Sequence, residues 1–155
     1  MPSNRIEDCT PVLEMKVKTI LIQMAAFGEK PKVYETLRTV AEQRKKVEDG
    51  VSKTMHSMHL PGSDGKARAA DIADAKKAWG AAKPFWLKLA AAAHRQGLQT
   101  GGDWGLPYSL RVAFWRAVAS QDWSANVKTG WDVAHVELTS DSWTTKRTKK
   151  AAGLL

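Results

Sequence analysis

The sequence predicts an α+β fold, with a small central antiparallel sheet flanked by helices. Two observations carry that expectation. Stretches with apolar residues at helical spacing alternate irregularly with short strand-like runs. Neither an internal repeat nor a regular strand–helix–strand rhythm runs through the chain.

Thr10-Pro11 reads as an N-cap followed by proline at the first helical position. Leu13, Val17, Ile20, Leu21 and Met24 then recur at helical spacing, so a helix is expected over 12–27, ended by Gly28 and Pro31. Residues 32–37 read as a short strand because they contain β-branched and aromatic Val33 and Tyr34. Thr39 caps a short polar helix over 40–48, closed by Asp49-Gly50. Residues 51–66 lack a sustained period and contain Pro61, Gly62, Ser63, Asp64 and Gly65, which marks a loop. A buried strand is expected over 67–73. A second long helix is expected over 84–96, with Phe85, Leu89 and Ala93 on one face and Gly97 at its end. Residues 98–102 form a candidate strand, and Leu110, Phe114, Ala117 and Val118 give helical spacing over 107–120. The run 131–138 alternates as a strand, with Asp132 and Ala134 on one face and Val133 and His135 on the other. Residues 140–155 read as a basic, frayed tail.

A length of 155 residues fits one domain, 1–155, able to bury a sizeable core. The single Cys9 excludes an internal disulfide and suits a reducing cytoplasm. Arg5, Glu7 and Asp8 interrupt the N-terminus, so no secretory signal is expected, and the apolar stretch 20–27 is too short to span a bilayer. The net charge of +8 favours polyanionic partners, with nucleic acid and anionic envelope polymers both open on charge alone. Seven tryptophans are many for so short a chain and suit either a dense core or a cleft that stacks on sugars or peptides, with core the reading for most of them. Trp104 and Trp131 are read first as packing residues.

The candidate chemistry lies in two separated segments. Ser57-Met58-His59-Leu60-Pro61-Gly62 is followed by Ala69-Ala70-Asp71, and much later comes Trp131-Asp132-Val133-Ala134-His135-Val136-Glu137-Leu138. Two histidines and one carboxylate (His59, Asp71, His135) are the ligand set of a catalytic zinc that keeps one position open for water. Asp132 is the candidate general base. On a regular strand Asp132 and His135 point to opposite faces, so either a bulge or twist re-aims one of them or they sit at the strand's entry, where the chain is not yet regular. Glu137 reads as an outward strand residue, His56 as a loop residue and His94 as an exposed residue near a helix end.

A longer pattern surrounds these residues. Val33-Tyr34-Glu35-Thr36-Leu37-Arg38-Thr39 leads to Glu42-Gln43, then to Gly50-Val51-Ser52-Lys53-Thr54-Met55 and Ser57-x-His59-Leu60-x-Gly62. It continues through Ala69-x-Asp71, Gly101-Gly102-Asp103-Trp104 and Asp132-x-x-His135. In this order the chain resembles the D-alanyl-D-alanine carboxypeptidase and L-alanyl-D-glutamate endopeptidase family of zinc peptidases, many of them phage endolysins. The resemblance implies Zn2+ held by His59, Asp71 and His135 in a cleft at the sheet, and Asp132 as catalytic carboxylate. It further implies that Arg38 orients substrate or steadies the oxyanion, and that Ser57 and Gln43 support the site. The expected substrate is the peptidoglycan stem peptide, cut at L-alanyl-D-glutamate, with D-alanyl-D-alanine as the alternative. The expected setting is a monomer that accumulates in the host cytoplasm before acting on the anionic wall, without nucleic acid. The rival expectations are a basic nucleic-acid-binding protein and an inactive phage structural component.

Two departures stand out. The step from His59 to Asp71 is longer than the family's, which makes Asp64 a competing carboxylate. The segment 105–130 is also longer, and is expected to add a helix over or beside the cleft.

Overall fold

The computed structural model describes residues 1–155. Its first helix, α1 (Pro11–Ala26), carries proline in its first turn and buries Leu13, Val17, Ile20 and Met24 on one stripe. Strand β1 (Pro31–Glu35) follows, then α2 (Val40–Glu48), β2 (Ala69–Asp74), α3 (Lys83–Arg95), β3 (Gln99–Gly101), α4 (Tyr108–Ala119), β4 (Asp132–Glu137) and α5 (Trp143–Ala151). The α2 start is a full capping box. The Thr39 side chain accepts from the Glu42 N–H at 3.1 Å, and the Glu42 carboxylate accepts from the Thr39 N–H at 2.8 Å. No helix is long and apolar enough to cross a membrane.

The four strands form one antiparallel sheet in the order β1-β2-β4-β3. The period of two along each strand separates its faces. Ala70 and Ile72 of β2, with Ala134 and Val136 of β4, join α1 and α3 in the main core. Asp71, His135 and Glu137, at the alternate positions, belong to the opposite face. The α+β expectation is therefore met, with helices stacked on one face of the sheet and polar groups gathered on the other.

Two irregularities shape that polar face. Pairing shifts between Val33 and Glu35 of β1, which brings Glu35 opposite Asp71. On the other side Thr100 pairs with Val136, whereas Gly101 pairs with Asp132, so β4 bulges between those contacts. A Cβ on Gly101 would lie 2.3 Å from the Asp132 carbonyl oxygen, so only glycine permits this approach.

Two expectations are corrected here. Residues 143–151 are not a frayed tail. Lys149 is 2% exposed, 2.6 Å from the Asp141 carboxylate and 3.1 Å from His94 Nδ1, with its ammonium 4.4 Å from the Trp115 ring centre. This paired cation pins α5 onto α3 and α4, and it makes His94 a half-buried contact rather than an exposed one. The added helix expected over or beside the cleft is present as α4, but it does not lie over the polar face. Phe114, Trp115, Ala117 and Val118 pack with Leu87, Ala90 and Ala91 of α3 in a second core, and no residue from 105 to 130 lines the cleft.

Candidate metal centre and catalytic cleft

The polar face opens into a cleft of about 590 Å³. Asp71 and His135 enter it as cross-strand partners on β2 and β4. His59 arrives from the loop before β2, which is tied down at several points. The Arg38 N–H donates to the His59 carbonyl at 2.9 Å, and the Arg68 N–H to Met58 at 2.9 Å. The extra residues after His59 close on themselves, with the Gly62 N–H bonded to Lys66 O and the Ala67 N–H to Asp8 O. Gly62 lies so close against the Arg68 guanidinium that a Cβ there would overlap it. The long His59-to-Asp71 step is thus a side turn that leaves both residues in the cleft. Asp64 sits at the exposed tip of that turn, where its carboxylate accepts from the Lys66 N–H at 3.0 Å, remote from the histidines.

Ligand atoms of His59, Asp71 and His135 all lie within 4.8 Å of one another. The Asp71 Oδ1 atom is 3.2 Å from His59 Nε2 and 3.4 Å from His135 Nδ1. A tetrahedral zinc with bonds of about 2.0–2.1 Å sets its donors about 3.3–3.4 Å apart, so these separations fit such an ion. The remaining ring nitrogens are committed elsewhere. His59 Nδ1 lies 2.7 Å from the Thr36 carbonyl, and His135 Nε2 lies 2.8 Å from Glu137 Oε1. Both partners accept, so both of those nitrogens carry the proton. In the neutral rings this leaves His59 Nε2 and His135 Nδ1 as lone pairs, converging with a carboxylate oxygen on one point. Three buried acceptors facing one another form a set that could hold a cation.

The electrostatics agree. Burial works against charge on His135, yet the bonds to Asp71 and Glu137 outweigh it and raise its pKa to about 10. Burial likewise opposes the Asp71 carboxylate, and the two histidines overcome this and hold it far below the usual carboxylate range.

Asp132 stands beside this set and outside it. Its Oδ2 is 3.8 Å from His135 Nδ1, because the β4 bulge turns it toward the same cleft. Burial pushes its carboxyl above the ordinary range. Arg38 is 6% exposed and braced from behind. Its Nε donates to Glu35 Oε1 at 2.6 Å, and its Nη1 to Gln43 Oε1 and to Ser57 Oγ. These bonds leave Nη2 without a protein partner on the cleft side. Gln43 is fixed in turn by the Ser52 hydroxyl at 3.0 Å and by the Thr54 carbonyl.

Every site residue expected from the sequence therefore borders one cleft: His59, Asp71 and His135 at its floor, with Asp132 and Arg38 beside them. Glu137 needs correction. It is 8% exposed and holds the His135 ring rather than pointing outward. Its spacing of two from His135 on a strand was the available signal. The Thr36 carbonyl behind His59 and Glu35 behind Arg38 were not legible as supports.

Two imidazoles and a carboxylate make a donor set that could hold a metal ion, flanked by a second carboxylate and a guanidinium. No family model matches the chain. Over 105 residues it is 34% identical to the L-alanyl-D-glutamate peptidase of Listeria phage A118, an alignment covering 65% of this chain and 34% of that one. The chain thus spans about a third of the length of that relative. The crystal structure of the Serratia marcescens L-Ala D-Glu endopeptidase ChiX superposes with a TM-score of 0.54 at 21% identity, over 86% of this chain and 83% of that one. That likeness shows a shared fold.

Proposed function

We propose that this chain is a zinc-dependent peptidase that cuts the peptidoglycan stem peptide at the L-alanyl-D-glutamate bond, in the manner of a phage endolysin. The observation that carries the reading is the convergence of two imidazole lone pairs and the Asp71 carboxylate on one point, with Asp132 3.8 Å from His135. The bond is chosen on the activity named for the phage relative.

His59 Nε2, Asp71 Oδ1 and His135 Nδ1 would hold the ion. When bound, zinc supplies Lewis acidity, which acidifies water and polarises a carbonyl oxygen. Asp132 takes the proton from the attacking water as the new C–O bond forms at the amide carbon. It then delivers that proton to the departing nitrogen as the C–N bond breaks, giving a carboxylate and an amine. Arg38 offers its free Nη2 donors to the oxyanion, or to a carboxylate of the stem. Glu35, Gln43 and Ser57 keep the guanidinium in place, so little reorganisation is needed during reaction. Lys46, also on the cleft, adds a second cation suited to an acidic D-glutamyl residue.

The surplus positive charge suits an anionic wall. In this reading the protein acts as a monomer, reaches the wall from the host cytoplasm at lysis, and does not use nucleic acid. Purified protein incubated with peptidoglycan tests the reading. Release of new amino groups should stop with a chelator and return with zinc. Release that ignores the chelator, or no release after zinc loading, overturns it.

A further inference from the structure

Trp131 is 70% exposed and yet firmly placed. Its indole lies on Gly105, where a Cβ would come within 2.8 Å of Trp131 Cδ1 and where φ is +80°. Glycine alone meets both conditions without strain. The preceding Gly130 runs so close to Trp104 that a Cβ would be 2.4 Å from the Trp104 nitrogen. Two backbone bonds lock this approach, Gly130 N–H to Gly102 O at 2.6 Å and Trp131 N–H to Trp104 O at 3.1 Å. Behind Trp131 stands the Trp104 ring at 5.4 Å, and Trp104 packs on the His135 ring at 5.0 Å.

An indole this exposed gains little from its own burial, so core packing does not account for it. The two glycines instead let the Trp131 indole lie as a flat apolar plate at the cleft lip, one residue before Asp132. The other exposed indole on the cleft, Trp79, is 48% exposed and stands on Tyr34, over the opposite edge of the sheet.

We propose that Trp131, backed by Trp104, is a stacking platform for a pyranose ring joined to the substrate peptide. This rests on the stem-peptide reading above. One face of a pyranose presents C–H groups that an indole accepts over its π-surface, while the ring hydroxyls remain in water. In peptidoglycan the stem hangs from a sugar through its first residue. A bond one residue along then lies roughly 7 Å from the sugar, about two extended residue lengths. The ring steps of 5.0 and 5.4 Å from His135 through Trp104 to Trp131 span at most about three extended residue lengths, one more than that separation. The platform would make the enzyme prefer glycan-linked stems to free peptide.

The test compares two substrates on zinc-loaded protein, a disaccharide-linked stem peptide and the same peptide without sugar. The wild type should show the lower KM on the sugar-linked substrate. Trp131→Ala should raise that KM on the order of tenfold at nearly constant kcat, so that the preference between the substrates disappears. Trp131→Phe should restore most of it. Equal losses on both substrates, or an unchanged preference, overturn the platform while leaving the peptidase reading intact. A wild type that cuts neither substrate overturns the peptidase reading, and the platform with it. Near-ultraviolet circular dichroism checks the fold of Trp131→Ala. If that variant is misfolded, Trp131→Gln takes its place: loss of the preference for the sugar-linked substrate in it is expected, and an unchanged preference contradicts the proposal.

Discussion

Removing Glu137 tests whether the support behind His135 matters as much as the ligand itself. Glu137 is 8% exposed, and its Oε1 accepts from His135 Nε2 at 2.8 Å while its other oxygen accepts from Thr139 Oγ1. The first contact fixes the tautomer that turns the Nδ1 lone pair toward Asp71. Supports of this kind typically set about 10–100-fold in metal affinity, which is ~1.4–2.7 kcal/mol. Glu137→Gln keeps an acceptor of the same shape and loses the charge, and charge-assisted bonds are about twice as strong as neutral ones. About tenfold weaker zinc binding is expected. Glu137→Leu leaves the buried Nε2–H unpaired, a cost of ~1–3 kcal/mol, so the upper part of the range, about a hundredfold, is expected. Competition against a chromophoric zinc chelator measures both, with melting of each metal-free variant as the control for folding. Wild-type zinc affinity in Glu137→Leu would refute the assigned tautomer and the role of His135.

Three further outcomes are expected. Asp132→Asn should keep the fold and bind zinc near wild-type affinity, yet lose at least about a hundredfold in kcat; near-normal turnover would remove Asp132 as the base. His94 is held below its ordinary value of 6.5 by burial, with Lys149 adding repulsion and Asp141 opposing it. The unfolded chain therefore takes up this proton first, so the contact's stability is complete above about pH 6.5 and is lost as pH falls through the lower folded value. Melting temperature should drop more steeply from about pH 7 to about pH 5 in the wild type than in His94→Gln, and parallel curves would refute the coupling. Burial pushes the Cys9 thiol up to about 12, so native protein should resist a disulfide reagent at about pH 8 and react only when unfolded. Fast labelling of the folded protein would contradict that burial.

Much of this arrangement was legible in the sequence because local signals and fold agree. Helices start where expected because Pro11 lacks an N–H that would need a partner, although Thr10 makes no side-chain cap bond, and because the Thr39–Glu42 box satisfies two backbone donors locally. The order of His59, Asp71 and His135 pointed to one cleft, and the sheet brings them together. The conflict between Asp132 and His135 was also visible, but the β4 bulge that resolves it depends on Gly101 in a different strand. Lys149 was hidden for a related reason. A run of lysines reads as solvated, and its partners Asp141, His94 and Trp115 meet only after α3, α4 and α5 pack. Glu137 was misread despite correct strand parity, because an isolated carboxylate on a strand gives no sign of being covered. Trp131 was read as packing because exposure is a tertiary property.

The central claim is that this cleft cuts one amide of the stem, and the new chain ends state that bond directly. Mass spectrometry of fragments released from peptidoglycan by the zinc-loaded protein should show sugar-linked L-alanine with a free carboxylate, together with peptides beginning at D-glutamate. Fragments ending elsewhere in the stem, fragments cut within the glycan, or no fragments at all would contradict it.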